Sequence, residues 1–75
     1  MLLTEEQLAE IAKKEDYISE KNKLITQRKA LLEELSFAEN DMEEGLIVEQ
    51  RDVLAVKIKT LASRLREIEA WESLA

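Results

Sequence analysis

The sequence of 75 residues contains no cysteine, no histidine and no proline, and it has one glycine and three aromatic residues. Without cysteine the chain has no disulfide, thiolate metal site or thiol nucleophile, and without histidine it lacks the commonest general base and metal ligand. The scarcity of glycine, proline and aromatic side chains argues against sheets joined by tight turns. We therefore expect a chain that is not an enzyme and binds no cofactor, metal or small-molecule substrate.

The charge and hydropathy of the chain argue against nucleic acid and membranes as its partners. Its net charge is −6, from 17 acidic and 11 basic side chains. Because phosphate backbones are bound mainly by Lys and Arg, a net acidic chain is a poor candidate for binding nucleic acid. No apolar run approaches a membrane span, and the first residues lack the basic segment and apolar core of a signal peptide. A cytoplasmic protein without a membrane partner is therefore expected.

What the chain does have is a helix-forming composition and heptad spacing. Ala, Glu, Lys, Leu and Arg make up more than half of the sequence, as in coiled coils. Thr4 and Gln7 match a capping box, which starts a helix. Apolar residues then recur with heptad spacing as far as Met42, so the sequence predicts a first helix over about 5–44. The stripe includes Ile11, Tyr17, Ile18, Leu24, Ile25, Leu31 and Leu32.

The only glycine, Gly45, falls where the heptad phase changes. Because glycine at a helix C-terminus adopts the left-handed conformation without steric cost, a turn is predicted over about 44–47, and a tolerated mid-helix glycine is the alternative. A second helix is predicted over about 48–72. Its seam consists of Ile47, Arg51, Leu54, Ile58, Leu61, Leu65 and Ile68. The expected fold is all-α, a two-helix antiparallel coiled-coil hairpin forming one domain over residues 1–75.

A single hairpin of this length leaves apolar surface uncovered. Chains this small gain little from one seam, and folding about Gly45 leaves the start of the first helix without a partner. We therefore predict contact with another protein or a second copy, most simply a homodimer that forms a helical bundle. Trp71 is either the centre of such an interface or packs across the end of its own hairpin. The predicted interface comprises Leu8, Ile11, Tyr17, Val53, Trp71 and Leu74.

The charges are unevenly distributed along the chain. Residues 30–50 carry seven acidic and no basic side chains, whereas residues 57–66 carry four basic and no acidic ones. A turn at Gly45 would place Glu43 and Glu44 at a helix C-terminus, where the dipole disfavours anions. This suggests a docking surface for a basic partner, with a solvated loop as the alternative. Arg51 occupies a seam position, and the in-phase carboxylate of Glu39 is its predicted ion-pair partner, with Glu43 as the other acceptor.

No motif identifies a family. An EF-hand centred on Gly45 fails, because Met42 and Arg51 would replace oxygen ligands. In layout the chain resembles small helical-hairpin chaperones of bacterial secretion systems and small phage-encoded accessory proteins, a likeness of architecture that does not establish function. The leading hypothesis is a non-enzymatic adaptor or co-chaperone that binds protein through helix packing. The alternatives are a self-associating structural or assembly subunit, and an acidic inhibitor that mimics nucleic acid.

Overall fold

The computed structural model describes residues 2–74, and these form three α-helices and no strand. The helices are α1 (Glu5–Ala12), α2 (Lys14–Leu35) and α3 (Asp41–Leu74). The all-helical prediction is confirmed, whereas the prediction of two helices is wrong. The predicted domain also included Met1 and Ala75, which lie outside the described residues.

Helix α1 begins where the capping box predicts. The Thr4 backbone N–H donates to Oε1 of Gln7 at 2.9 Å, and the Gln7 backbone N–H donates to Oγ1 of Thr4 at 3.1 Å. Glu5 and Glu6 lie in the first turn, where the helix dipole favours negative charge. The predicted start of this helix is therefore confirmed by its local hydrogen bonds.

The predicted first helix is interrupted at Lys13. The backbone there has φ −92° and ψ 2°, and its N–H donates to the Glu10 carbonyl at 3.0 Å, so the α-helical ladder breaks for one residue. Helix α2 resumes at once, since the Tyr17 N–H donates to the Lys13 carbonyl at 3.0 Å. Beside this break, a Glu10 carboxylate oxygen lies 3.9 Å from Nε of Arg64 in α3. Thus α1 packs on α3 and does not project beyond it as predicted.

Helix α2 ends at Leu35, well before the predicted turn, and α3 begins after Asn40. Oδ1 of Asn40 accepts the Glu43 backbone N–H at 2.9 Å, and the Glu43 carboxylate accepts the Glu39 backbone N–H at 2.9 Å. The first bond satisfies a backbone donor that the helix start leaves without an intrahelical partner, and the second ties the residue before Asn40 to the first turn of α3. The predicted turn at 44–47 is wrong, because the local cap at Asn40 starts the helix before Gly45 is reached.

Gly45 is an interior residue of α3. None of the described residues has a positive φ, so this glycine does not use the left-handed conformation that would end a helix. The alternative of a tolerated mid-helix glycine is the one observed. Helix α3 consequently has 34 residues and is about 51 Å long at 1.5 Å per residue.

Helix α3 runs back along α2 and α1. Nζ of Lys14, at the start of α2, lies 2.8 Å from Oε1 of Glu72, near the end of α3. Farther along, Leu31 and Leu54 line the same groove. Because the connection lies earlier than Gly45, the predicted pairing of residues between the helices is wrong. The resulting rod measures 57 × 15 × 15 Å.

The core between the helices is small. Only three apolar residues of the described chain are buried: Leu24, Leu65 and Ile68. The predicted seam of the second helix, Arg51 included, is partly or fully buried along α3. On α2, however, Ile25 and Leu32 are exposed, because the neighbouring stripe through Leu24 faces α3 instead.

Candidate interaction surface

The exposed side of α3 carries a row of large apolar side chains. We call this row the outer stripe; its members are Met42, Leu46, Val53 and Val56, which are 77%, 55%, 50% and 66% exposed. Their spacing of 4, 7 and 3 residues keeps them on one face of the helix. Glu49 and Thr60 fill the remaining steps of the same 4–3 pattern. The outer stripe is therefore a second heptad seam on α3, beside the one that packs on α2.

A shallow groove connects the outer stripe to α2. Its lining residues are Gln27, Ala30, Leu31, Glu49, Gln50, Val53 and Leu54. Leu31 and Leu54 are partly buried, whereas Val53 stands exposed at the rim. The groove thus extends the apolar surface of α3 onto the adjoining face of α2.

The end of the molecule that contains the connection between α2 and α3 is also apolar. Phe37 lies in this connection and is 81% exposed, and Leu32, near the end of α2, is half exposed. Most of the exposed large apolar side chains of the described residues lie in this half of the rod. Clusters of this kind on a small protein mark sites of association.

The accessible area supports the same conclusion. A compact monomer of 8.7 kDa is expected to expose about 4,700 Å² from the scaling of surface with mass. The chain exposes 5848 Å², which is about 1,100 Å² more than that expectation. The excess exceeds the roughly 800 Å² that each partner buries in a standard protein–protein interface. This excess follows from the elongated shape of the rod, which measures 57 × 15 × 15 Å, and it keeps the apolar side chains of the outer stripe accessible.

The acidic residues near the connection have a structural explanation. Asp41, Glu43 and Glu44 lie in the first turn of α3, where the helix dipole stabilises negative charge. The prediction that Glu43 and Glu44 oppose a dipole is wrong, because α3 starts before them and not after them. Glu43 and Glu44 are therefore placed favourably within their helix, and no unfavourable dipole arrangement points to a docking surface.

Arg51 and Glu39 do not form the predicted ion pair. Glu39 lies in the connection, outside any helix, so it is not in phase with the seam. Arg51 instead lines a second groove together with Arg28 and Leu32, separate from the groove beside Val53. The Nε atoms of Arg28 and Arg51 are buried without a hydrogen-bond partner, and neither side chain has an ion pair within residues 2–74.

The six predicted interface residues fall into two groups. Leu8, Val53 and Leu74 are 52%, 50% and 53% exposed. Ile11, Tyr17 and Trp71 are partly buried. The outer stripe contains only Val53 from the predicted set. Its other members were missed because a turn at Gly45 places Met42 and Val53 on different helices, which hides their common spacing.

The partly buried residues close the end of the rod at α1. Trp71 lines a groove with Gln7, Glu10 and Arg64. The Tyr17 hydroxyl donates to the Glu10 carboxylate at 2.5 Å. Of the two interpretations of Trp71, packing across the end of its own chain matches this geometry. Glu10 thereby connects all three helices through Tyr17 and Arg64.

Two contacts at this end of the rod raise the pKa of the group that donates the hydrogen bond. The hydrogen bond to Glu10, with desolvation and the Glu10 charge, raises the pKa of the Tyr17 hydroxyl above its usual value. The hydrogen bond to Glu72 and the neighbouring acidic charges raise the pKa of the Lys14 ammonium, against a smaller effect of desolvation. In both cases a carboxylate favours the protonated form of its neighbour.

The remaining chemistry of the described residues is sparse. No group of three or more acidic side chains within residues 2–74 is close enough to hold a metal ion. No helix in that range is long and apolar enough to cross a membrane. Comparisons with known proteins found no match to a family model, a curated protein or a solved structure. Among the described residues, the outer stripe and its groove form an apolar surface that remains open to a partner.

Proposed function

We propose that this chain is a non-enzymatic protein–protein interaction module, a small adaptor or co-chaperone that acts through helix packing. The observation that carries the proposal is the outer stripe, a heptad-spaced row of four exposed apolar side chains on α3. A helix surface of this kind is what a partner helix recognises through contacts at spacings of 3 and 4 residues. The groove beside Leu31 offers a place for side chains of such a partner.

We further propose that α1, α2 and α3 work as a coiled-coil hairpin that is completed by association. Three buried apolar side chains make a small core for a rod 57 Å long. A helical bundle formed with another chain would cover the outer stripe and bury apolar area at about 25 cal/mol per Å². The simplest such association is between two copies of this chain. If no other protein binds, the chain would act as a self-associating structural or assembly subunit.

The proposal is tested by removing apolar surface from the stripe alone. In Leu46→Ser/Val53→Ser both changed positions are exposed, so the chain should keep its helix content by circular dichroism. The matched control is Val48→Ser, an exposed position on a different face of α3. Sedimentation equilibrium should show association for the wild type and for Val48→Ser, and its loss in the double variant.

A second measurement extends the test to partners from the native host. Each of the three proteins is immobilised, and the retained proteins are identified by mass spectrometry. A defined protein retained by the wild type and by Val48→Ser, but not by the double variant, supports an adaptor. Equal association and equal retention by all three proteins would contradict the proposal, because the outer stripe would then contribute nothing.

A further inference from the structure

We propose that the outer stripe binds a second copy of the same chain, with the two α3 helices antiparallel and the two-fold axis passing near Val53. The inference deepens the proposed function and rests on it, because it names the partner of that surface. A two-fold interface requires a surface that is complementary to itself when reversed. Two segments of α3 that lie at equal distances from Val53 carry opposite net charge.

Two segments of opposite charge lie at equal distances on the two sides of Val53, and within them Glu49 and Lys57 are each four residues from it. Reversal about Val53 brings residues 40–49 opposite residues 57–66 of the partner subunit. The first segment carries Asp41, Glu43, Glu44 and Glu49 and no basic residue. The second carries Lys57, Lys59, Arg64 and Arg66 and no acidic residue, and of these Arg64 is already paired with Glu10 and Glu67 of its own chain. In a parallel dimer each segment would face the same segment of the partner subunit, and like charges would repel each other. The charge pattern therefore favours the antiparallel arrangement.

The apolar positions also allow this register. Reversal about Val53 superimposes the stripe at Val53 and at the positions seven residues away on each side, Leu46 and Thr60, whereas the positions between them are offset by one residue. Val53 then meets its own copy at the axis. Leu46 meets Thr60 of the partner subunit, and Glu49 comes beside the partner's Lys57. The Thr60 hydroxyl donates to the Val56 carbonyl at 3.0 Å, so its methyl group is available for apolar contact without an unpaired hydroxyl.

The groove next to α2 fits the same arrangement. Val56 of the partner subunit lies three residues beyond the axis and so comes opposite Gln50. Gln50 lines the groove whose floor contains Leu31 and Leu54. The partner side chain would therefore cover apolar surface from both helices.

Single-cysteine variants test the register directly, since the chain has no cysteine of its own. Val53→Cys should form a disulfide-linked dimer rapidly under mild oxidation, because the two sulfur atoms would face each other at the axis. Leu46→Cys should react slowly alone, since its two copies would lie about 21 Å apart along the helices. An equal mixture of Leu46→Cys and Thr60→Cys should give the mixed dimer. Val48→Cys, exposed on another face, is the control for random collision.

A charge reversal tests the proposed contact between Glu49 and Lys57. Glu49→Lys and Lys57→Glu should each weaken association by roughly tenfold, since two symmetric pairs become repulsive. The double variant should recover the wild-type affinity. Glu49 and Lys57 are eight residues apart on one helix and too far from each other to interact within it. Recovery would therefore report a contact between chains.

The outcomes separate this inference from the proposed function. Rapid linkage of Val53→Cys with recovery in the charge-reversed double variant supports the antiparallel pairing. Linkage of Val53→Cys no faster than that of Val48→Cys, or rapid linkage of Leu46→Cys alone, overturns it. A monomer that still binds another protein through the outer stripe would overturn the pairing and leave the proposed function standing.

Discussion

At the scale of a single residue, Gly45 decides between two folds. In α3 its backbone is helical, and a Cβ added there would meet no atom within 4 Å beyond its chain neighbours and the adjoining backbone of its own helix. Gly45→Ala should therefore stabilise the protein by about 1 kcal/mol, the difference in helix propensity between the two residues. If Gly45 lay in a left-handed turn, the same substitution would destabilise the protein, because alanine is strained in that conformation. Urea denaturation at fixed protein concentration measures the change.

The control for Gly45→Ala is Ala30→Gly, an exposed position within α2. Ala30→Gly should lower the free energy of unfolding by about as much as Gly45→Ala raises it, since both substitutions exchange the same two residues in a helix. Destabilisation by Gly45→Ala together with the expected loss in Ala30→Gly would restore the turn at Gly45 and refute the long α3.

Tyr17 provides a second prediction at this scale, through its contact with Glu10. The hydrogen bond raises the pKa of the hydroxyl, so the folded state holds this proton more tightly than the unfolded chain does. The contribution to stability is complete below the ordinary tyrosine pKa of about 10 and is lost as the pH rises through the higher folded value. Because Tyr17 is the only tyrosine, the ultraviolet absorbance of tyrosinate reports it alone.

Replacing the acceptor should shift this titration. Glu10→Gln removes the charge and weakens the preference for the protonated hydroxyl, so the Tyr17 pKa should fall towards its ordinary value. Glu15→Gln is the matched control, since it removes an exposed carboxylate that does not contact the hydroxyl. An identical titration midpoint in wild type and Glu10→Gln would show that Tyr17 and Glu10 are not bonded in solution.

At the scale of the helices, the start of α3 depends on a cap within the sequence Asn40–Glu43. Asn40→Ala removes the side-chain acceptor of the Glu43 N–H and should cost about 1 kcal/mol in the free energy of unfolding. Asn22→Ala, at an exposed interior position of α2, should leave stability unchanged or slightly raised, because alanine is the better helix former. Equal effects of the two substitutions would place the beginning of α3 elsewhere.

The two helix starts show what sequence patterns can establish. Thr4 and Gln7 predict the start of α1 correctly because every bond involved lies within four residues. Asn40 and Glu43 carry an equally local signal, but Gly45 offered a competing boundary and the apolar stripe continued past Leu35. Misplacing that one boundary then shifted the pairing of the two long helices, since the position of the connection determines which residues meet.

The side chains that face α3 could not be selected from α2 alone. The stripes through Leu24 and through Ile25 are both apolar and lie side by side on the helix. Only docking on α3 distinguishes them: Leu24 is buried and Ile25 is 36% exposed. Exposure of Leu8, Val53 and Leu74 was predictable, because each stands off the main seam. The outer stripe as a whole became recognisable only after Met42 and Val53 were found on one helix.

At the scale of the whole molecule, the elongated shape explains the small core. The radius of gyration is 16.8 Å, whereas a compact domain of this length is expected to have about 11 Å. A rod two helices thick has almost every residue at its surface, so only a few side chains are shielded on all sides. Association with another helix pair is the way such a rod gains a core without changing its fold.

If association supplies much of the free energy of unfolding, folding and assembly are linked, and the melting temperature depends on protein concentration. For a dimer of this size the midpoint should rise by about 3–6 °C for each tenfold increase in concentration. Val53→Asp places a charge at the proposed two-fold axis and should lower the midpoint and remove its concentration dependence. Val48→Asp adds the same charge on another face and should keep that dependence.

Circular dichroism melts over a hundredfold range of concentration measure both the midpoint and its dependence on concentration. A wild-type midpoint that stays constant over that range would show that three buried side chains are enough to hold one rod folded, and that the outer stripe is free to receive a different protein.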